Sequence, residues 1–290
     1  MKLLLLDETY PESELAGFEV VRAPQDDVVA VLTRSEIPVG EELFAQLPML
    51  RVVGTASAGF DHIDADAAER RGIAVVNSAG YADDEVADHT LALLYGLLRR
   101  IVELDRSVMR GEWDARRTGP LATLTGRRVG IVGLGHIGNA VATRLLALGV
   151  EVWATDIVPV PRDGVHFVAL PELLEKCDAI TLHVPLTRET RGLIGRREIT
   201  SMKPGALLVN TSRGAVVDVD AVQLALREGR LGGAGLDVLP QEPPLAPPVA
   251  PNLIVTPHAA YYSEGSEKRA YSFCIARVRA ALGDLGGRDI

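Results

Sequence analysis

One segment limits what this chain can become: RRVGIVGLGHIGNAVATRLLALGVEVWATD, residues 127–156. Gly133, Gly135 and Gly138 form a G-x-G-x-x-G triplet, which on its own is weak. Here an apolar run, Val129–Val132, precedes it, and a helical pattern, Ile137–Leu148, follows. A second apolar run ends in Asp156, 18 residues after Gly138. That context is the dinucleotide fingerprint. Gly133 permits a tight turn, Gly135 lets backbone approach a pyrophosphate, and Gly138 lets helix and strand pack closely. The helix N-terminus offers free N–H groups and positive dipole to phosphates. Asp156 is placed to accept hydrogen bonds from a ribose diol and to repel a 2′-phosphate. Ile157 follows it where an NADP enzyme often has Arg, so NAD is favoured.

The rest of the chain has the same grammar. Short apolar runs alternate with helical patterns, as in α/β folds. Strands are expected near 3–6, 18–21, 28–32, 50–54 and 73–76, with short helices at 39–46 and 65–71 and a long one at 84–100. Residues 107–125 are polar, hold Trp113 and Pro120, and read as an arm. A second series of six strands runs from 129 to 256, and one helix, 264–282, closes the chain. A length of 290 residues accommodates about two domains. The net charge of −9 argues against a nucleic-acid surface. Cys177 and Cys274 read as small buried hydrophobes, not a disulfide framework. The leucine run at 3–6 is too short for a signal or membrane segment. A cytoplasmic protein without a membrane contact is expected. The histidines and cysteines show no metal spacing.

Three motifs follow at expected strand ends: VNTSRGAVVD with Arg213, GLDVLPQEPP with Asp237 and Glu242, and VTPHAA with His258. Ligands of open α/β sheets bind at the carboxyl ends of strands, so one site can collect all three. Taken singly, His258 could be a loop histidine, Glu242 a solvated charge and Arg213 a structural cap. Together they match the needs of keto-acid reduction. Arg offers a planar fork to a carboxylate and a carbonyl. His is a proton donor suited to neutral pH. A carboxylate beside that His stabilises its protonated form, and the hydride belongs to a nicotinamide.

Taken in order, TASAGFDHID, GLGHIG, HVPLT, NTSRG, GLDV–EPP and TPHAA make the chain resemble the D-isomer-specific 2-hydroxyacid dehydrogenases over essentially its whole length. The resemblance implies an α/β fold of two Rossmann-like, doubly wound domains with a cleft between them. Residues 1–91 with 261–290 would form a flavodoxin-like substrate domain, and 92–260 an NAD-binding domain. It implies catalytic Arg213, Glu242 and His258, with Glu242 tuning His258. Cofactor contacts are expected from Gly133, Gly135, His136, Ile137, Gly138, Asp156, Val184, Pro185, Thr211, Ser212, Asp237, His258 and Ala260. Asp237 would face the nicotinamide. The substrate, a small 2-keto or 2-hydroxy acid, would meet the backbone of Ser57, Ala58 and Gly59, together with Ser78, Tyr81, Arg213 and Tyr261. A homodimer through 84–100 and 107–125 is also implied. His183 is expected to order a strand end beside the cofactor, while His62, His89 and His166 are expected to be structural or exposed.

Some stretches point to branches of the family. TPHAAYYSE is similar to the C-terminal-binding proteins; DETYPESEL and GTASAGFDHID are similar to erythronate-phosphate and phosphoglycerate dehydrogenases. Arg34 matches a position that holds phosphate in some members, but Thr55 stands where phosphoglycerate enzymes often place Arg. An NAD(H)-sensing binding protein with little turnover is the alternative. A formate-type dehydrogenase is disfavoured, because such enzymes carry Gln in place of Glu242.

Overall fold

The computed structural model describes residues 1–34 and 37–286. The chain divides into two compact units, residues 1–82 with 262–290, and residues 83–261.

The first unit opens with β1 (Lys2–Leu5), β2 (Glu19–Val21), β3 (Val28–Thr33), α1 (Glu41–Ala45), β4 (Val52–Thr55), α2 (Ala65–Arg70) and β5 (Ala74–Val76). Its five strands are parallel, in the order β2-β1-β3-β4-β5. Leu4, Val31 and Val53 pack on one face against Phe44 of α1 and Ala67 of α2. Each fully buried side chain of the Val, Leu or Phe kind contributes about 1.5–3 kcal/mol of burial.

The second unit contains α3 (Asp83–Leu98), α4 (Ile101–Met109), β6 (Arg128–Val132), α5 (His136–Ala147), β7 (Glu151–Thr155), β8 (Val165–Phe167), α6 (Leu170–Lys176), β9 (Ala179–Leu182), α7 (Arg196–Ser201), β10 (Ala206–Asn210), α8 (Val219–Arg227), β11 (Leu231–Leu236) and β12 (Leu253–Val255). The sheet is again all parallel, in the order β12-β11-β10-β9-β6-β7-β8. Alternate side chains serve opposite layers, as the period of two requires. Val129 and Ile131 meet α3 and α5 through Leu94, Leu97, Val141 and Leu145. Ile180 and Leu182 join the other layer with Leu173, Ile199 and Val222. The chain then returns to the first unit as α9 (Ser266–Gly286), which lies on β4. Gly54 makes room there: a Cβ would stand 2.5 Å from Val278 Cγ2 and 2.9 Å from Cys274 Sγ.

Three features differ from the sequence reading. The second sheet has a seventh strand, β8, too short at three residues for a periodic signal. The expected helix 84–100 stops at Leu98, because Arg100 is left-handed at φ 50°, and the chain restarts as α4. The arm expected at 107–125 therefore begins inside a helix. By packing, α3 falls whole into the second compact unit, which runs over residues 83–261.

Candidate active site

In the seven-stranded sheet the chain leaves β6 outward through β7 and β8, then crosses back to β9 and continues the opposite way. Connections diverge at the carboxyl end of β6, the place where such sheets bind ligands. The glycine triplet lies at that end, and its members owe their identity to different pressures. Gly133 has φ +89°, and a Cβ there would sit 2.6 Å from His183 O. A Cβ on Gly138 would collide with Gly133 O. At Gly135, which precedes α5, no protein atom lies within 4 Å of where a Cβ would be. The first and last glycines are thus demanded by the fold, whereas the middle one guards open space over a helix N-terminus. That space fits a dinucleotide pyrophosphate, with Gly135 leaving the backbone approachable.

Asp156, at the end of β7, braces the turn by accepting from Leu134 N (2.7 Å) and Val158 N (3.1 Å). His136, the first residue of α5, stands 3.5 Å from Asp83 Oδ2. Burial pushes the Asp83 carboxyl up; the charge of His136, the next cause, pulls the other way. Ile137 packs against the α3–α5 layer. Val184 packs into the opposite layer, and Pro185 O accepts from Thr190 Oγ1 (2.6 Å). His183, after β9, has both ring nitrogens inaccessible with no hydrogen-bond partner, and burial pushes its imidazole down to about 3. It stays neutral at the strand end beside Gly133.

β10, β11 and β12 deliver the other motifs to the same edge. Thr211 Oγ1 bonds Thr90 Oγ1 of α3 (2.9 Å), while Ser212 is held through its N–H and hydroxyl by Asn210 Oδ1 (3.0 and 2.8 Å). Arg213 follows, with Nη1 donating to Ser212 O (2.9 Å). Glu242 Oε2 lies 2.7 Å from His258 Nδ1, and its Oε1 accepts from Leu239 N (2.8 Å). Burial alone would push the Glu242 carboxyl up. The His258 hydrogen bond, the Leu239 N–H and the charges of His258 and Arg213 outweigh that and hold it below the usual range. Arg213 and His258 therefore both act electrostatically on Glu242. The Tyr261 ring stands edge-on to His258, with centroids 6.0 Å apart.

Asp237 lies behind the turn that carries His258. Its side chain is 1% exposed, and its oxygens accept from Thr256 Oγ1 (2.5 Å), Ala259 N (2.9 Å) and Ala260 N (3.0 Å). His258 N donates to the Asp237 carbonyl (2.8 Å). The residue pins the His258 turn. His89, which had no partner pattern in the sequence, is 3.0 Å from Thr256 Oγ1 and 3.5 Å from Asp237 Oδ1. Nothing local foretells this, because the partners lie far apart in sequence.

In the first unit, the loop after β4 turns its carbonyls inward. Ser57 O accepts from Ser78 N (2.9 Å), Ala58 O from Asn77 Nδ2 (2.6 Å) and Gly59 O from Ser57 Oγ (2.7 Å). Ser78 is fully buried, with its hydroxyl on Ala270 O (2.7 Å) and Thr55 O (3.2 Å). Tyr81 is buried too. The Ser78 side chain is committed to the interior of this unit. Among the described residues, no group of three or more His, Cys, Asp or Glu side chains is disposed to hold a metal.

A parallel sheet with a glycine turn at its switch point and an Arg–Glu–His cluster on the same edge defines a dinucleotide-dependent oxidoreductase. The family described as D-isomer specific 2-hydroxyacid dehydrogenase, NAD binding domain, matches residues 91–260. A glycerate dehydrogenase of Methylorubrum extorquens is 40% identical, over 87% of this chain and 82% of that one. A glyoxylate reductase of Korarchaeum cryptofilum is 42% identical over 84% and 76%. The structure of a D-lactate dehydrogenase from Aquifex aeolicus, complexed with NAD and lactic acid, superposes with a TM-score of 0.87 at 30% identity, covering 99% and 97% of the two chains. The chain belongs to the D-isomer specific 2-hydroxyacid dehydrogenase family and carries its NAD-binding domain. These relatives are reductases and dehydrogenases, so the sensing alternative gains no support from them.

The three glycines should respond differently to a methyl group. Gly135→Ala is expected to leave the melting temperature near wild type while weakening NADH about tenfold, on the order of 1.4 kcal/mol. Gly138→Ala should lower stability and NADH affinity together. Thermal denaturation alongside NADH fluorescence titration checks both; equal melting-temperature losses would contradict the distinction.

Proposed function

We propose that the chain interconverts a small 2-keto acid and its D-2-hydroxy acid. The contact that carries this reading is His258 Nδ1 to Glu242 Oε2 at 2.7 Å, inside the field of Arg213. With Nδ1 engaged by Glu242, the Nε2 atom of His258 is left to exchange a proton with the substrate oxygen. The Arg213 guanidinium holds the substrate carboxylate and polarises its carbonyl. Charge-assisted bonds of this kind contribute roughly 1.5–3 kcal/mol each. Glu242 orients the imidazole through its hydrogen bond to Nδ1. Bound NADH supplies the hydride, or NAD accepts it, at the substrate carbon. The peptide N–H groups of Ser57, Ala58 and Gly59 are assigned to the substrate carboxylate, supported by the inward turn of that loop's carbonyls. Tyr261, edge-on to His258, is assigned to the substrate side chain. NADH is preferred to NADPH, because the Asp156 carboxylate meets the ribose end and Ile157 beside it is an exposed apolar side chain.

The protein is proposed to work as a homodimer in the cytoplasm. α4 and the segment after it expose Ile101, Val108, Met109 (80%) and Trp113 (90%), an apolar surface that a second copy would cover. The two cysteines are free and buried, as suits a reducing compartment. No described helix is long and apolar enough to cross a membrane.

Three outcomes follow from these assignments. His258→Ala should cost roughly 10²–10⁴-fold in turnover of 2-keto acids with NADH while NADH binding is kept; unchanged rates would remove His258 as the acid. The second concerns pH. Because the folded Glu242 carboxyl lies below its ordinary value, the stabilisation from its His258 contact is complete above the usual carboxylate range and is lost only as pH falls through that lower value. His258 imidazole resonances should therefore keep the paired signature through the usual carboxylate range, and a break within or above that range would contradict the pairing. The third is assembly: Trp113→Glu should move the protein from dimer to monomer in sedimentation velocity, and an unchanged coefficient would place the dimer elsewhere.

A further inference from the structure

The carboxyl edge of the five-stranded sheet holds a cation that the reaction above does not use. In the order β2-β1-β3-β4-β5 the connections diverge between β1 and β3, which makes that crevice the ligand-binding position of this unit. Arg34 directly follows β3, and Thr9 lies on the loop after β1. The neighbouring strand β4 leads into the Ser57–Gly59 loop, and Ala56 N donates to Thr33 O (3.2 Å), so Arg34 stands beside the loop assigned to the substrate carboxylate. An arginine in that position is the natural group to meet a second anion, such as a phosphate on the substrate.

Here the guanidinium is already committed. Nη2 donates to Glu267 Oε1 of α9 (3.1 Å), and Nη1 donates to Tyr271 Oη (3.0 Å). The Tyr271 hydroxyl donates to Thr9 Oγ1 (2.8 Å), and the Thr9 hydroxyl donates to Asp7 Oδ2 (2.7 Å). Both arms of the fork therefore end on carboxylates, one cation against Glu267 and Asp7. The Arg34 side chain is 19% exposed, and Tyr271 is buried with its ring 4.8 Å from that of Tyr10. A dianionic phosphate brought to this cation would have to displace Glu267 and then sit beside it. Like charges at close range oppose that exchange.

We infer that the Arg34–Glu267–Tyr271 network is a selectivity device that makes this chain take a short, unphosphorylated 2-keto acid and reject the phosphorylated one. The inference rests on the keto-acid reading above and names the substrate class within it. Arg34 touches no reacting atom; it acts through what its charge is made unavailable for.

The test compares hydroxypyruvate with its 3-phosphate, each with NADH and the full chain. Wild type should favour hydroxypyruvate by at least about tenfold in kcat/KM. A preference for the phosphorylated substrate overturns the inference. Glu267→Gln keeps the side-chain volume and removes the charge. It should raise kcat/KM for the phosphorylated substrate about tenfold relative to hydroxypyruvate, with NADH affinity unchanged. Tyr271→Phe, which removes the hydroxyl that links Nη1 to Thr9, should move the ratio in the same direction. A ratio unmoved in both variants overturns the assignment to this network. Absence of turnover on either acid would instead defeat the dehydrogenase reading. The selectivity would then still be read by calorimetry, as D-glycerate binding more tightly than D-3-phosphoglycerate; the reverse order overturns it.

Discussion

A buried carboxyl group holds the chemistry in place. Asp237 follows β11, and its two oxygens gather the Thr256 hydroxyl and the Ala259 and Ala260 amides from the turn after β12. A polar group taken out of water is costly unless its bonds are satisfied. The turn therefore cannot relax without leaving Asp237 unpaired. His258 sits on that turn with φ 53°, a left-handed conformation that costs a non-glycine residue of order 1–3 kcal/mol and persists where the surroundings overdetermine it. Asp237, Thr256 and the two amides supply that determination, and His89 backs them from α3.

On this frame the electrostatics are simple. Glu242 reaches His258 from a proline-rich loop and is itself tied to Leu239 N. Behind it, Gly214 is packed so closely on Leu239 and Pro240 that a side chain there would strike their backbone. The loop carrying Glu242 is thus tied to the turn carrying Arg213, which lets three charges from β10, β11 and β12 share one small volume. The first unit treats its own cation in the opposite way, surrounding Arg34 with acceptors. Arg213 shares its surroundings with one carboxylate and the His258 imidazole, whereas the Arg34 fork ends on two carboxylates.

The parts that rest on short-range pattern were legible. The β6–α5–β7 segment showed its turn, its helix and its acidic end, because glycines at a strand–helix junction have few other uses. The Arg213, Glu242 and His258 motifs were legible as strand ends. What stayed hidden had partners distant in sequence or no period to read. β8 is three residues long, and the break at Arg100 carries no Gly or Pro to announce it. Ser78 read as a loop residue facing substrate, yet its hydroxyl is spent on Ala270 O, 192 positions away. Asp237 read as a cofactor contact; its bracing of the His258 turn comes from partners 19–23 positions away.

By itself the sequence determined the alternation of strands and helices, the dinucleotide turn and the identity of the Arg–Glu–His set, since these follow from local periodicity and from what each side chain can do. Only the tertiary structure decided what each of those side chains is held against. Arg34 and Arg213 are the same residue type, each one to three positions past a strand end. Burial and partners supplied by remote segments, α9 for one and the β11–β12 turns for the other, set them apart, and those long-range encounters are written in no single stretch of chain.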